Sequence, residues 1–395
     1  MSWPIDDMEE VIKFNESVDW DGDDSDAYLA LNQPRYNSHN KQILQVEKYC
    51  SEIDFTNVLQ NDCINLIVAP TGSGKSTSFL KMAAEGMAVA VVAPFLSITN
   101  QMKIQFPKME IKTGMKADDG ISFANGRITS FHSIPKMLEL HNIDLLVIDE
   151  WHVLSSYAGY TYGMLNLFWD TIEKLKLKHP HMKIVALTGT PQFMVMADFL
   201  NYNLISIRPK HILSKPSELF VSRSWTKELN KRDNYLYLYQ SRKQGKQQAQ
   251  KYNGIYIDAA VKENSPEYAK ILLGEMPGNR VFTSTVLSTG ISIIDPVDTV
   301  YTNWVDLVDI IQMSARVRQG NHELKVTQTI PWFLKDGMDE PVLNWSNDFE
   351  RNMQLLNQYQ TWYSYTAHSA DEGDLFSILY QMLWLPEKEL PTIYM

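Results

Sequence analysis

The run INLIVAPTGSGKST, from Ile64 to Thr77, limits the fold more than any other stretch of the chain. An apolar segment breaks into a turn whose glycines, Gly72 and Gly74, accept backbone angles closed to other residues. Lys75, Ser76 and Thr77 follow where a helix should begin. A strand, a tight turn and a helix N-terminus in this order bring the backbone N–H groups of Thr71, Gly72, Ser73 and Gly74 together with no side chain in the way, which makes a cradle for phosphate. Lys75 adds a point charge suited to β- and γ-phosphates. Ser76 offers one oxygen to Mg²⁺, an ion that keeps several waters and takes few protein ligands. A plain glycine turn would leave the lysine and its hydroxyl neighbours without a reason.

From 64 to 190 the pattern alternates. Strand candidates at Ile64–Ala69, Ala88–Ala93, Arg127–Ser130, Asp144–Asp149 and Lys183–Leu187 are apolar throughout and separated by helix-length segments, so a parallel sheet covered on both faces is expected. Ligands of such sheets sit beyond the carboxyl ends of the strands. One of those ends carries Asp149 and Glu150, two acids at a strand tip: Asp149 suits a metal ion and Glu150 suits a water that attacks a γ-phosphate. His152 beside them is a candidate coupling residue. At the next tip Thr188 and Thr190 place two hydroxyls where they can link the acids to neighbouring loops. Residues 41–60 read as a helix leading into the first strand, with Gln42 or Arg35 as candidate contacts for a base.

After a basic stretch, strand candidates recur at Tyr235–Tyr239, Gly254–Asp258, Arg280–Thr283 and Thr299–Thr302, so a second α/β unit follows. It has no phosphate cradle of its own. It offers instead the hydroxyl-rich run 283–292 and then Gln312, Arg316 and Arg318. Arginine forks placed against a γ-phosphate stabilise the charge that develops in phosphoryl transfer, and arginines from a second domain would tie hydrolysis to domain closure. Beyond about residue 335 the chain is rich in aromatics, including Trp345, Trp362, Tyr363, Tyr365 and Trp384, at helical spacing. They suit a packed helical segment, and aromatics also stack on bases.

Composition sets the outer bounds. A chain of 395 residues, 44% hydrophobic and 21% charged, has material for two domains with appendages. No apolar run approaches the roughly 20 residues that span a bilayer, and the acidic N-terminus lacks the features of a signal peptide. Cys50 and Cys63 have neither metal-ligand nor redox spacing and suggest a reducing compartment, so the cytoplasm is expected, and no membrane partner. The net charge is −11, unevenly placed: residues 6–26 hold ten acids and one lysine, whereas 208–251 hold eleven Lys or Arg against Glu218, Glu228 and Asp233. The first segment suits a flexible tail; its Asp19, Asp21 and Asp23 do not make an EF-hand, because Gly22 falls too early. The second suits either a solvated surface or a face that follows a phosphate backbone.

The order of these motifs resembles the superfamily 2 helicases over roughly residues 60–320. Ala69 to Ser76 is similar to their motif I, Ala93-Pro94-Phe95-Leu96-Ser97 to Ia, Ile128-Thr129-Ser130 to Ib, and Asp149 to His152 to a DExH motif II. Thr188-Gly189-Thr190 stands where motif III has Ser-Ala-Thr. Gln240-Ser241-Arg242 is similar to motif IV, Ser288 to Ser292 to motif V, and QMSARVR, from Gln312 to Arg318, to the motif VI of Dicer-type and viral origin-binding helicases. Six or more weak motifs in the correct order make a specific signal. Two departures stand out: Ser292 replaces an acid in motif V, and Ala315 a glycine in motif VI.

The resemblance implies an α/β fold of two tandem RecA-like domains with a small helical C-terminal appendage, divided as an acidic segment 1–33, a first domain 34–205, a second 206–335 and a helical aromatic-rich segment 336–395. It implies ATP and Mg²⁺ between the domains. Lys75, Ser76, Asp149 and Glu150 would form the hydrolytic set, Ser76 and Asp149 holding the metal, with Gln312, Arg316 and Arg318 closing on the γ-phosphate. A single-stranded or forked nucleic acid, DNA in preference to RNA, would cross both domains at Pro94, Phe95, Thr129, Ser130, Ser241, Arg242, Thr285 and Thr289. The compact size and the motif VI form suggest a phage or viral helicase of replication or recombination. A translocase or remodeller that does not unwind, an RNA helicase, a packaging-type ATPase and a binding protein with a silent site are the alternatives. A packaging ATPase should carry a nuclease domain where motifs V and VI stand, and a silent site is at odds with intact Lys75, Glu150 and Arg316.

Overall fold

The computed structural model describes residues 41–94, 98, 102, 110–112, 126–159, 161–197, 199–211, 216–258, 265–284, 292–318, 322–329, 339–370 and 372–382. The expected tail 1–33, Arg35, Phe95, Thr285, Thr289 and Trp384 lie outside them.

The first lobe is built on strands β1 (Lys41–Val46), β2 (Ile64–Val68), β3 (Val89–Ala93), β4 (Glu110–Lys112), β5 (Gly126–Ser130), β6 (Leu145–Ile148), β7 (Lys183–Thr188) and β8 (Tyr202–Pro209). They form one sheet in the order β1-β8-β2-β7-β6-β3-β5-β4, every pairing parallel. Because side chains alternate across a strand, Leu66 and Val68 of β2 enter one core and Ile67 the other. Helix α1 (Lys75–Ala84) covers the second face through Phe79, Leu80 and Ala83. Helices α2 (Val153–Ala158) and α3 (Met164–Lys178) cover the first through Leu154, Phe168 and Ile172. All five expected strands of this half are present.

Two expectations change here. Residues 41–60 do not form a helix: β1 pairs along its whole length with β8, and two short 3₁₀ turns, Cys50–Glu52 and Phe55–Asn57, follow. The open edge of β8 explains the difference, since a parallel partner satisfies its unpaired N–H and C=O groups while Leu44 and Val46 turn their side chains to the core. The expected boundary at 205 also cuts a strand, because β8 stays in the first sheet to Pro209.

The second lobe holds β9 (Glu218–Ser222), α4 (Thr226–Leu229), β10 (Tyr235–Leu238), α5 (Arg242–Lys251), β11 (Ile255–Ile257), α6 (Pro266–Leu273), β12 (Arg280–Thr283), β13 (Thr299–Thr302), α7 (Leu307–Ser314) and β14 (Glu323–Thr327). Its sheet runs β11-β12-β10-β13-β14-β9, again parallel among the described residues. Two cores flank it, one aliphatic and one made largely of tyrosines, where Tyr237 stacks on Tyr239 at 4.1 Å. These are two RecA-like α/β lobes in tandem.

Two further helices among the described residues, α8 (Phe349–Ser369) and α9 (Glu372–Met382), follow the second sheet. Phe349, Met353 and Leu356, on the N-terminal half of α8, belong to the core of the first lobe, and Phe349 stacks on Trp169 at 4.5 Å. Ala367 and, on α9, Leu375 and Leu379 belong to the second lobe. The aromatic residues of this region serve packing: Trp345 leans on Phe199, and Phe193 meets Tyr359 and Tyr363 edge-on.

Candidate nucleotide site

The site grows from the carboxyl ends of β2, β6 and β7. Beyond β2 the chain turns through Gly72 (φ 88°) and Gly74 (φ 79°), both left-handed, and Gly74 caps the start of α1. This is where the glycines are needed: a side chain at either position would be strained. Ser73 and Lys75 are buried, while Thr71, Gly72, Gly74, Ser76 and Thr77 stay partly exposed along the loop. The Lys75 ammonium donates to the carbonyls of Ala69 (2.7 Å) and Pro70 (3.2 Å), and burial pushes its pKa down.

Beyond β6 the two acids part. The Asp149 side chain turns toward the loop and accepts from Ser76 Oγ at 2.9 Å. Glu150 sits at φ 50°, an uncommon angle for a residue with a side chain, worth about 1–3 kcal/mol of strain. Neighbouring bonds hold it there: Asp149 N donates to Val92 O, Trp151 N to Leu187 O, both at 2.8 Å, and the Trp151 indole is buried in the core. The strain lets two consecutive carboxylates point to different tasks.

Electrostatics separate them further. Burial and the neighbouring Glu150 charge push Asp149 up to about 7. Burial also works against ionised Glu150, yet its pKa is lowered by the positive groups around it. His152 is held down to about 4, chiefly by burial, so it is neutral at physiological pH and Arg316 and Lys75 supply the charge that matters.

A ring of polar contacts joins the two lobes. His152 Nδ1 meets Thr188 Oγ1 at 3.1 Å, and Thr188 Oγ1 accepts from Thr190 N at 3.0 Å. Thr190 Oγ1 accepts from Gln312 Nε2 of the second lobe at 3.1 Å. Arg316 Nη2 donates to Gln312 Oε1 (3.3 Å) and reaches Glu150 Oε1 at 3.5 Å. His152 Nδ1 lies 3.6 Å from Glu150 Oε2, a contact beyond hydrogen-bond reach that brings the two ends of this chain of bonds together. Thr71 Oγ1 comes to 3.5 Å of Gln312 Oε1, so the phosphate loop joins it as well. Arg318 turns its Nε to Ser292 Oγ (2.9 Å) and leaves Nη1 buried without a hydrogen bond; burial and the adjacent Arg316 lower its pKa to about 10.

The nucleic-acid candidates divide. Pro94 and Ser130 end neighbouring strands, since Ala93 is in register with Ser130. Thr129 is fully buried and Ser130 nearly so, and Pro94 is buried with its carbonyl accepting from the Tyr157 hydroxyl. Thr129 lies on β5 between β3 and β4, with its side chain buried. Ser241 caps α5 by accepting from Gln244 N, and Arg242 and Lys243 stand exposed on its first turn. The basic stretch 208–251 does not form one stripe, because Lys210 pairs with Glu47, Arg232 with Glu228 and Glu323, and Lys246 with Asp258.

Three features escaped the sequence reading. Gly189 lies so close to Thr71 that a Cβ there would meet its Oγ1 at 2.6 Å, which lets the Thr188–Thr190 turn rest on the phosphate loop; a glycine where Ser-Ala-Thr is usual was the available signal. The residues against that loop are Tyr49 and Cys50, through Cys50 N to Ser73 O at 2.8 Å, whereas Gln42 stays on the edge strand opposite Ile205. Gln360 touches both lobes and has no local signature at all.

Residues 35–193 match the family model of the Type III restriction enzyme res subunit. The match supports a superfamily 2 helicase. Solved structures agree in fold: S. cerevisiae Dbp5 bound to RNA and ADP BeF3 aligns over 85% of this chain and 94% of its own at 12% identity, TM-score 0.53. A single-residue variant of Dbp5, also bound to RNA and ADP BeF3, aligns over 84% and 93% at 12% identity, TM-score 0.52. The DUF1998 helicase MrfA bound to DNA aligns at 14% identity and TM-score 0.49 over 69% of this chain, which spans about half, 47%, of MrfA. No curated protein matches the chain. At this identity the likeness to Dbp5 carries the fold alone, two RecA-like α/β lobes in tandem.

Proposed function

We propose that this helicase core hydrolyses ATP between its two lobes and uses the closure to move along, and unwind, a single or forked strand. The observation that carries the reading is Arg316: a side chain of the second lobe stands 3.5 Å from Glu150 of the first. Hydrolysis places charge on the γ-phosphoryl oxygens as water attacks phosphorus and the bond to the β-phosphate oxygen breaks. Backbone N–H groups from Gly72 to Ser76 and the Lys75 ammonium bind the triphosphate. Glu150, kept ionised by Arg316 and Lys75, orients the water and takes its proton. Arg316 and Arg318 face the transferring group when the lobes meet.

Ser76 Oγ and Asp149 Oδ1, 2.9 Å apart, are hard oxygen donors at the mouth of the loop and fit Mg²⁺, which needs few protein ligands. Bound there, the ion would neutralise charge on the β- and γ-oxygens. Among the described residues no cluster of three or more His, Cys, Asp or Glu suggests a different metal site.

The finer reading is a DExH-type enzyme that prefers DNA and serves phage or viral replication or recombination in a host cytoplasm. It is supported by the motif VI form QMSARVR. The test is ATP hydrolysis with single-stranded DNA, single-stranded RNA or neither, with and without Mg²⁺, followed by strand separation on a forked duplex. Stimulation by DNA above RNA is expected; equal turnover with and without either polymer would sink the motor reading.

A further inference from the structure

Both helices that frame the site make a second contact away from it. Helix α2 begins directly after His152, and α7 carries Gln312 and ends two residues before Arg316. Between them lies α8, and the buried Gln360 on it reaches both. Its Nε2 donates to Asp306 Oδ2 at 2.7 Å, while its Oε1 is 3.5 Å from Ser155 Oγ. Asp306 is the N-cap of α7 and accepts from Asp309 N; Ser155, fully buried on the first turn of α2, gives its one hydroxyl proton to His152 O at 2.9 Å, so its approach to Gln360 is a packing contact. One turn further, Ser364 Oγ accepts from Leu307 N at 3.2 Å.

The two halves of α8 are anchored differently. Phe349, Met353 and Leu356 are set into the first lobe's core, and Asn357 lies against Gly159 with Nδ2 at 3.1 Å from where a Cβ would stand. The second half belongs to the other lobe through Ser364, His368 and Ala367. Neither half can be released without exposing apolar surface, so α8 ties the two lobes together and Gln360 sits at the middle of the tie.

Resting on the ATPase reading above, we propose that Gln360 is a positioning residue. By fastening the start of α7 to the start of α2, it sets how Arg316 meets Glu150 when the lobes close, though it touches no part of the nucleotide site itself.

The test exchanges donor and acceptor. Gln360→Met keeps the length and removes the bond to Asp306 together with the polar contact to Ser155. Gln360→Glu combined with Asp306→Asn restores the bond with its direction reversed, and Asn still caps α7. Each variant is measured in the full chain for melting temperature, affinity for a fluorescent ADP, and kcat with a saturating single strand. Gln360→Met should keep ADP affinity within about twofold and lose about tenfold in kcat, with the exchanged pair returning to within about threefold of the parent. Turnover of Gln360→Met within about twofold of the parent overturns the proposal. So does an exchanged pair that melts like the parent yet stays as slow as Gln360→Met.

A distance measurement separates this idea from the reading it rests on. Spin labels at the exposed Glu85 and Lys243, one on each lobe, should give a narrow distribution in the parent, a broad one in Gln360→Met and a narrow one in the exchanged pair. Absence of ATPase in the parent removes the motor reading and leaves this measurement in force; equal widths in all three proteins overturn the role of Gln360.

Discussion

Two adjacent carboxylates do different work only if the backbone sends them apart, and here a left-handed angle at Glu150 does so. Glu150→Gln should therefore retain ATP and strand binding and barely turn over, since the metal-side contact between Ser76 and Asp149 is untouched. Lys75→Ala should weaken nucleotide binding itself. Hydrolysis by Glu150→Gln at the parent rate would overturn the assignment of the base. Arg316→Ala and Arg318→Ala should bind nucleotide nearly as the parent does and lose on the order of 10³-fold in stimulated turnover, by the scale of other arginine fingers. Stimulated rates near the parent's in both would remove the second lobe from the chemistry. The residues of this ring were legible one at a time, because phosphate, metal and general-base chemistry demand particular residue types. The bonds among them were not legible, since Gln312 meets Thr190 across 122 positions of sequence. Gly189 explains how that meeting is possible: only a residue without a side chain lets the turn lie on Thr71.

Among the elements, the strands were the most readable part, because burial on both faces leaves continuous apolar runs such as VAVVA in β3 and LLVI in β6. β1 was not readable: KQILQV has no such run, and its state is decided by the open edge of β8, with Lys41 opposite Leu204. The basic stretch 208–251 misled in the opposite direction, since sequence proximity of charges says nothing of their ion-pair partners. What remains is the first turn of α5, where Arg242 and Lys243 are exposed. Reversing both charges should weaken single-strand binding and reduce the slope of log affinity against log salt by about 1–2. An unchanged slope would assign that turn to solvent. Helix α8 gives a pH signature. His368 is buried and held down to about 4, so it is neutral in the fold, whereas the unfolded chain takes up a proton near pH 6.5. Its contribution is thus intact above pH 6.5 and falls progressively as pH drops toward 4, by on the order of 3 kcal/mol for this group alone. His368→Gln should flatten the fall in denaturation midpoint between those two pH values relative to the parent; parallel curves would rule the linkage out.

At the scale of the whole molecule, the two lobes are not separable pieces joined by a tether. Tandem α/β lobes invite the idea that the first, with its phosphate loop, would stand alone once the chain is cut after β8. The core says otherwise. Phe349, Met353 and Leu356 of α8 are buried among Phe168, Leu154 and Tyr157, and Glu350 Oε1 accepts from Gly163 N at 2.7 Å. Truncating a buried side chain of that size costs about 2–5 kcal/mol, so losing three approaches the whole stability of a domain, about 5–15 kcal/mol. A chain ending at residue 211 should therefore aggregate or melt far below the full protein, even though every motif of the nucleotide site up to Thr190 is present. Joining residues 339–370 to it through a flexible linker should restore solubility and ADP binding by returning α8 to its seat. That molecule still lacks Arg316 and Arg318, so a single strand should not stimulate its hydrolysis. If the chain ending at 211 instead melts cooperatively near the parent temperature and binds ADP, α8 is an appendage to the first lobe and not a part of it, and it does not tie the two lobes together.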